Sequence, residues 1–221
     1  MIRGAIFDVD GTLLDSSAVW DDAGAKYLAT LGITAEAGLG RKLFTMSLDE
    51  GAVYMKETYG LMQTTAEILA GVLQVVEDFY YNEAPLKEGA ADFLQQLSDR
   101  GIPMVIASSS KKEHIQAALQ RLGIAHHFRH IFTCNEVGIG KHNPKIFFEA
   151  ADCLGTSPEE TWVVEDGLYA MKTARSADFA VLGVYDEPSA ADWEEIQQTA
   201  TLAVKDLTQF NIFWEVAVAS E

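Results

Sequence analysis

A three-layer α/β architecture, a parallel sheet between two layers of helices with one all-helical unit inserted near its start, is the fold class this sequence predicts. Two observations carry that expectation. Short apolar or β-branched runs alternate along the chain with stretches whose apolar residues fall at helical spacing, the pattern of a parallel sheet covered on both faces. One long stretch, residues 17–82, breaks the alternation and shows helical periodicity alone.

The expected strands are Arg3–Phe7, Pro103–Ala107, His130–Thr133, Thr161–Val164 and Phe179–Val184. Between them, Gly89–Asp99 and Lys111–Leu122 contain "AADFLQQL" and "IQAALQRL", each with apolar residues three and four apart. In the insert, "VWDDAGAKYLATLG", "LDEGAVYMKETYG" and "AEILAGVLQVVEDFYY" repeat the helical spacing, with glycines as stop signals. Pro85 and Gly89 in "NEAPLKEG" punctuate the return to the sheet. The division expected is therefore 1–15 with 83–221 for the sheet-bearing core and 16–82 for the insert. The tail "NIFWEVAVASE" is unusually apolar, and either the core or a partner would cover it.

Composition bounds the function. With 221 residues and 48% hydrophobic content, the chain can bury a substantial core. The 33 acidic residues against 16 Lys and Arg give a net charge of −17, a field that repels nucleic acid and anionic membranes. An anionic substrate would need local positive charge. Cys134 and Cys153 lack zinc-ligand spacing and read as ordinary half-buried thiols in a reducing compartment, ahead of a disulfide. Asp8 interrupts the first apolar run too early for a signal-peptide core, and no apolar run approaches a membrane span, so a cytoplasmic protein is the default. Oligomeric state and substrate identity stay open at this level.

The chemistry begins at "IFDVDGTLLDS", where an apolar strand ends in Asp8 and Asp10. Two carboxylates one residue apart leave a strand on the same side and repel unless a cation lies between them. A hard divalent ion, Mg2+ before others, takes oxygen ligands and retains waters that a substrate phosphate can displace. Gly11 and Thr12 let the chain turn sharply and offer backbone N–H groups to an anion. "PMVIA" runs into Ser108, Ser109 and Ser110, donors at a helix start suited to phosphate oxygens. "TWVVE" delivers a second acidic pair, Glu165 and Asp166, to the same sheet edge, and Lys141 in "GIGKHNPKIFF" supplies a compact positive charge.

In order and spacing, "FDVDGTLLDS", "VIASSS", "GKHNPKIFFEAA" and "VVEDGLYAMKTA" resemble the four signature motifs of the haloacid dehalogenase superfamily of phosphohydrolases. The insert resembles the helical cap of its β-phosphoglucomutase-like branch, and the likeness covers nearly the whole chain. It implies a Rossmann-like core in which Asp8 attacks phosphorus to form an aspartyl-phosphate, while Asp10 protonates the leaving alcohol and then activates water. It further implies that Asp166 binds Mg2+ with the Asp8 carboxylate and the Asp10 carbonyl, that Glu165 supports this shell, and that Ser108 and Lys141 hold the transferring phosphoryl group.

Departures are visible too. The third motif usually reads Lys-Pro-x-Pro-Asp; here His142 replaces the first proline and Lys145 the acidic residue, so Lys145 competes with Lys141 for the lysine role. Gly167 stands where the family often has Ser. Asp10 disfavours the carbon–halogen and phosphonate-cleaving members. Val19-Trp20-Asp21 and Met46-Ser47-Leu48-Asp49 lack the histidine and arginine that the sugar phosphomutases of this branch need. Hydrolysis of a small phosphorylated metabolite is favoured, with a mutase or a non-catalytic phosphate-binding module as alternatives.

Plainer readings compete at several positions. An N-cap and solvated turn would account for Asp8 and Asp10 alone, but not for three matching motifs downstream. Helix capping by Ser108 is compatible with phosphate binding, and a hydrogen-bonding role alone remains open for Glu165. "HHFRH" (His126, His127, His130) has no further ligand at metal spacing and reads as a solvated connection. "GIGKH" lacks the first glycine and the hydroxyl residue of a nucleotide-binding loop. Tyr27, Met46 and Tyr54 read mainly as helix packing, whereas Trp20, close to the hinge, is an equal candidate for contact with the leaving group.

Overall fold

The computed structural model describes residues 1–16, 18–43 and 46–219, apart from the side chains of Ala18, Trp20 and Asp21. Its six strands, β1 (Gly4–Phe7), β2 (Met104–Ser108), β3 (Phe128–Thr133), β4 (Thr161–Glu165), β5 (Ala180–Val184) and β6 (Leu202–Val204), form one parallel sheet in the order β3-β2-β1-β4-β5-β6. The first four strands that the sequence predicted are present within two residues at each end, and the fifth begins one residue late. Leu202–Val204 lies outside the strands expected from sequence: three residues are too short for a periodic signal, and the strand forms by pairing with β5, Leu182 to Leu202.

The chain divides into two compact units, 1–15 with 85–221, and 16–84. In the second, every regular element among the described residues is a helix: α1 (Ala18–Thr30), α2 (Leu39–Leu43), α3 (Leu48–Tyr59) and α4 (Thr65–Asn82). Capping boxes start the two longer late helices. Ser47 Oγ accepts from Glu50 N while Glu50 accepts from Ser47 N, and Thr64 and Glu67 repeat the arrangement. Tyr27, Leu28, Met55, Leu61 and Ile68 form the centre of this unit. Tyr27 lies so close to Gly71 that a Cβ there would fall 2.1 Å from its ring, so α1 and α4 meet at a glycine. Tyr27 thus serves packing, while the Trp20 side chain lies outside the described residues.

The sheet-bearing unit adds α5 (Ala90–Asp99), α6 (Lys112–Arg121), α7 (Cys134–Val137), α8 (Lys145–Leu154), α9 (Leu168–Ser176), α10 (Trp193–Thr199) and α11 (Phe210–Ala219). Strand residues alternate between two dry faces, as a doubly covered parallel sheet requires. Ile6, Val105, Val163 and Val181 pack with Ile146, Phe147, Met171 and Ile196 on one side. On the other, Phe7 meets Phe93 edge to face, and Phe93 meets Phe210 and Phe213 at 5.0 Å.

The apolar tail, left between core and partner by the sequence, is α11, and it packs on its own core. Phe213 lies edge-on to the buried Trp162 at 5.0 Å, and the Ile2 N–H donates to the Ala217 carbonyl at 3.0 Å. Phe213 is fully buried, so Phe213→Ala is expected to cost about 3–5 kcal/mol, the range for emptying a buried aromatic site. Urea unfolding of the variant measures it. No helix among the described residues is long and apolar enough to cross a membrane.

Candidate active site

The C-terminal ends of β1, β2, β4 and β5 converge, and the sequence places charge at three of them. β1 sits between β2 and β4, with Phe7 in register with Ile106 and Val164. The Asp8 N–H continues the ladder to the Val164 carbonyl at 2.9 Å, which fixes where its side chain emerges. After Asp8 the chain turns tightly: Leu13 N and Leu14 N both donate to the Val9 carbonyl, at 2.9 and 2.8 Å. Gly11, at φ 81°, makes the turn possible.

Asp8 is buried and forms an ion pair with Lys141, whose ammonium also donates to Glu165 Oε1 at 2.7 Å. Lys141 is 2% exposed. Lys145 points elsewhere, donating to the Val137 carbonyl at 3.1 Å, so of the two candidate lysines only Lys141 joins the acidic edge. Glu165 Oε2 accepts from Asp166 N and Gly167 N at 2.8 and 3.0 Å, which shapes the turn after β4. Thr12 Oγ1 donates to Asp166 Oδ1 at 3.0 Å, tying the first acidic segment to the last.

Burial pushes the Asp8 carboxyl up to about 8, with Lys141 pulling it down while Glu165 and Asp10 push it further up. Burial likewise raises Asp166 well above the ordinary carboxyl range, assisted by the charges of Glu165, Asp8 and Asp186. Burial lowers the Lys141 ammonium, but Asp8 and Glu165 more than reverse that and hold it above its usual value. The balance is one ammonium among three closely spaced acids. Asp8, Glu165 and Asp166 each present an oxygen within 4.8 Å of the others, a hard donor set that fits a divalent cation, which would relieve their repulsion.

Other residues near this edge make different contacts from those expected. The Gly11 N–H does not face an anion: it donates to the Leu14 carbonyl at 2.9 Å, because the tight turn consumes it. Thr12 N reaches the Val9 carbonyl at 3.4 Å, and the residue's clearest contact is its hydroxyl on Asp166. Ser108, buried at the end of β2, accepts from Ser110 N at 3.1 Å, and Ser109 Oγ pairs with Cys134 Sγ at 3.4 Å. It is Ser110 that donates to the Asp10 carboxylate. The histidine run forms no metal cluster among the described residues: the His126 and His127 rings lie 4.0 Å apart with tilted planes, and His127 Nδ1 meets Ser98 Oγ at 2.8 Å.

Two charged residues at this edge were missed. Asp186, just past β5, is buried and pairs with Lys87 at 2.6 Å. The available signal was the one that marks Asp8, an acidic residue directly after a buried apolar run.

The fold is a doubly covered parallel α/β sheet that carries a buried carboxylate–ammonium pair at the carboxyl ends of its strands. The chain is a member of the haloacid dehalogenase-like hydrolases, whose family model matches residues 2–178. It is 30% identical over 182 residues to the glyceraldehyde 3-phosphate phosphatase of Methanopyrus kandleri, covering 76% of this chain and 77% of that one. It is 24% identical to hexitol phosphatase B of Escherichia coli K12, over 81% and 83% of the two chains. The crystal structure of a putative β-phosphoglucomutase from Thermotoga maritima superposes with a TM-score of 0.86 at 22% identity, covering 97% of this chain and all of that one. At Gly167, where the family often has Ser, a Cβ would lie 3.2 Å from the exposed Tyr169 ring, which would need to shift by a few tenths of an ångström.

Proposed function

We propose that this phosphatase hydrolyses a phosphate monoester of a small metabolite, a phosphorylated sugar or polyol, through an aspartyl-phosphate on Asp8. The observation that carries the reading is the buried Lys141 ammonium shared by Asp8 and Glu165. It gives the nucleophile a fixed orientation and offers the incoming phosphoryl oxygens a positive charge in a dry setting, where charge neutralisation counts most.

An Asp8 carboxylate oxygen attacks phosphorus as the ester P–O bond breaks, and Asp10 gives its proton to the departing alkoxide. Asp10, now a carboxylate, takes a proton from water; the hydroxide attacks phosphorus, the bond to Asp8 breaks and phosphate leaves. Ser110, which holds the Asp10 side chain, keeps it oriented for both transfers. Asp8 and Asp166, with the Asp10 carbonyl and support from Glu165, would hold Mg2+, which when bound neutralises charge on the transferring group. Ser108 and Ser109 would bind the phosphate end, and Trp20 is the candidate for reading the leaving group. The net charge of −17 argues for a small substrate met by local cations, not for nucleic acid. A cytoplasmic location, where phosphorylated metabolites are retained, agrees with the absence of a membrane-crossing helix among the described residues.

The test is a screen of sugar phosphates, polyol phosphates and hexose 1-phosphates, following both free phosphate and the organic product. Phosphate released in step with dephosphorylated product, abolished by EDTA and restored by Mg2+, is the expected result. An isomeric sugar phosphate with little free phosphate would make the protein a mutase. Phosphate or metal binding without turnover would make it a binding module.

A further inference from the structure

Resting on the cation site just described, we propose that Lys87 and Asp186 are positioning residues for Asp166: their buried ion pair clamps the Gly11–Leu14 turn to the end of β5 and so fixes the carboxylate that receives the metal. The pair takes no part in the chemistry above, yet it ties the segment that follows β1 to the end of β5.

Lys87 is anchored at both ends. Its N–H donates to the Leu13 carbonyl at 2.9 Å, Leu86 bridges Leu14, and the Asp15 N–H donates to the Pro85 carbonyl at 3.0 Å. Residues 85–87 therefore run alongside 13–15 as a short ladder. Its ammonium reaches the other way, to Asp186 Oδ1 at 2.6 Å and the Tyr185 carbonyl at 3.1 Å. The side chains are 14% and 4% exposed. One residue thus joins the turn after β1 to the end of β5, with β4 and its Asp166 between those two strands in the sheet.

Gly11 shows how closely the parts fit. A Cβ there would lie 2.6 Å from Asp166 Oδ2 and 2.8 Å from Asp186 Oδ2, so both carboxylates close over the same face of the glycine. Asp166 is then held on one oxygen by Thr12 and confined at the other by the turn that Lys87 anchors. Lys87 engages Asp186, whereas Asp166 accepts from Thr12 and stands with Asp8 and Glu165 in the acidic cluster. A buried ion pair is a poor source of stability, since an apolar pair of similar volume usually does as well or better. Its value lies in where it puts its neighbours.

The experiment measures Mg2+ affinity of the substrate-free protein by calorimetry, beside the thermal midpoint, for wild type, Lys87→Met, Asp186→Asn and the double variant Lys87→Met/Asp186→Leu. Each single variant is expected to bind Mg2+ about 10–100-fold more weakly, the usual effect of losing an outer-shell support. The double variant is expected to regain the wild-type midpoint while its Mg2+ affinity stays at least tenfold low, and it carries the test where a single variant fails to fold. Variants that bind Mg2+ within threefold of wild type, or a double variant that regains both stability and affinity, would reduce the pair to structural glue. Wild-type protein that binds no Mg2+ would instead overturn the cation site itself, and this proposal with it.

Discussion

Asp8→Asn is expected to remove turnover while leaving the fold intact, with a fall on the order of 10³-fold or more, as for other catalytic nucleophiles. The amide is nearly isosteric, and the Asp8 backbone is held by β4 whatever the side chain carries. What disappears is the anionic oxygen that bonds to phosphorus. The check is twofold: steady-state phosphate release, and mass spectrometry of acid-quenched protein for a phosphoryl adduct on the tryptic peptide containing residue 8. Wild type should show the adduct and the variant should not. A variant retaining full activity would exclude the covalent route and turn attention to direct attack by water.

The second large effect is expected at Lys141. Replacing it with Met leaves Asp8 and Glu165, 9% and 4% exposed, facing each other without their shared cation. Removing one partner from a buried charged cluster costs about 3–5 kcal/mol, so chemical unfolding in EDTA should show a loss of that size beside the loss of turnover. Added Mg2+ should recover part of it, because a ligand that binds only the folded state stabilises that state in proportion to its affinity and concentration. Lys145→Met is the control. That side chain is 54% exposed and lies 3.7 Å from Glu149, an exposed pair whose loss should cost no more than about 1 kcal/mol.

Much of this molecule is legible from the chain itself, for identifiable reasons. Strands buried on both faces must be written as continuous apolar runs, so β1, β2, β4 and β5 stand out, as does the charge that ends β1 and β4. The acidic segments and Lys141 are readable because chemistry demands particular residue types at particular strand ends. What escaped is what local sequence does not encode. β6 is three residues long and exists through its pairing with β5. The choice between Lys141 and Lys145 turns on which side chain faces the sheet edge, and spacing alone leaves both admissible. The Gly11 N–H looked available until the tight turn claimed it. Lys87 and Asp186, nearly a hundred positions apart, become partners only when the strands assemble. The destiny of the apolar tail required the aromatic cluster of Phe93, Trp162 and Phe210, none of which announces its neighbours in advance.

The central place of β1 has a consequence for how the protein is made. Ala5 lies in register with Met104 on one side and Trp162 on the other, so the segment bearing Asp8 leaves the ribosome before both neighbours and waits for them. Residues 16–84, by contrast, form a continuous unit whose contacts are available as soon as that stretch has emerged. Domains generally fold as units during synthesis, and distant parallel pairing is slow. The helical insert is therefore complete while its host is still unfinished, and the acidic edge is assembled among the last things. Enzymatic activity, regained during refolding, would accordingly mark completion of the whole sheet more faithfully than helix content does.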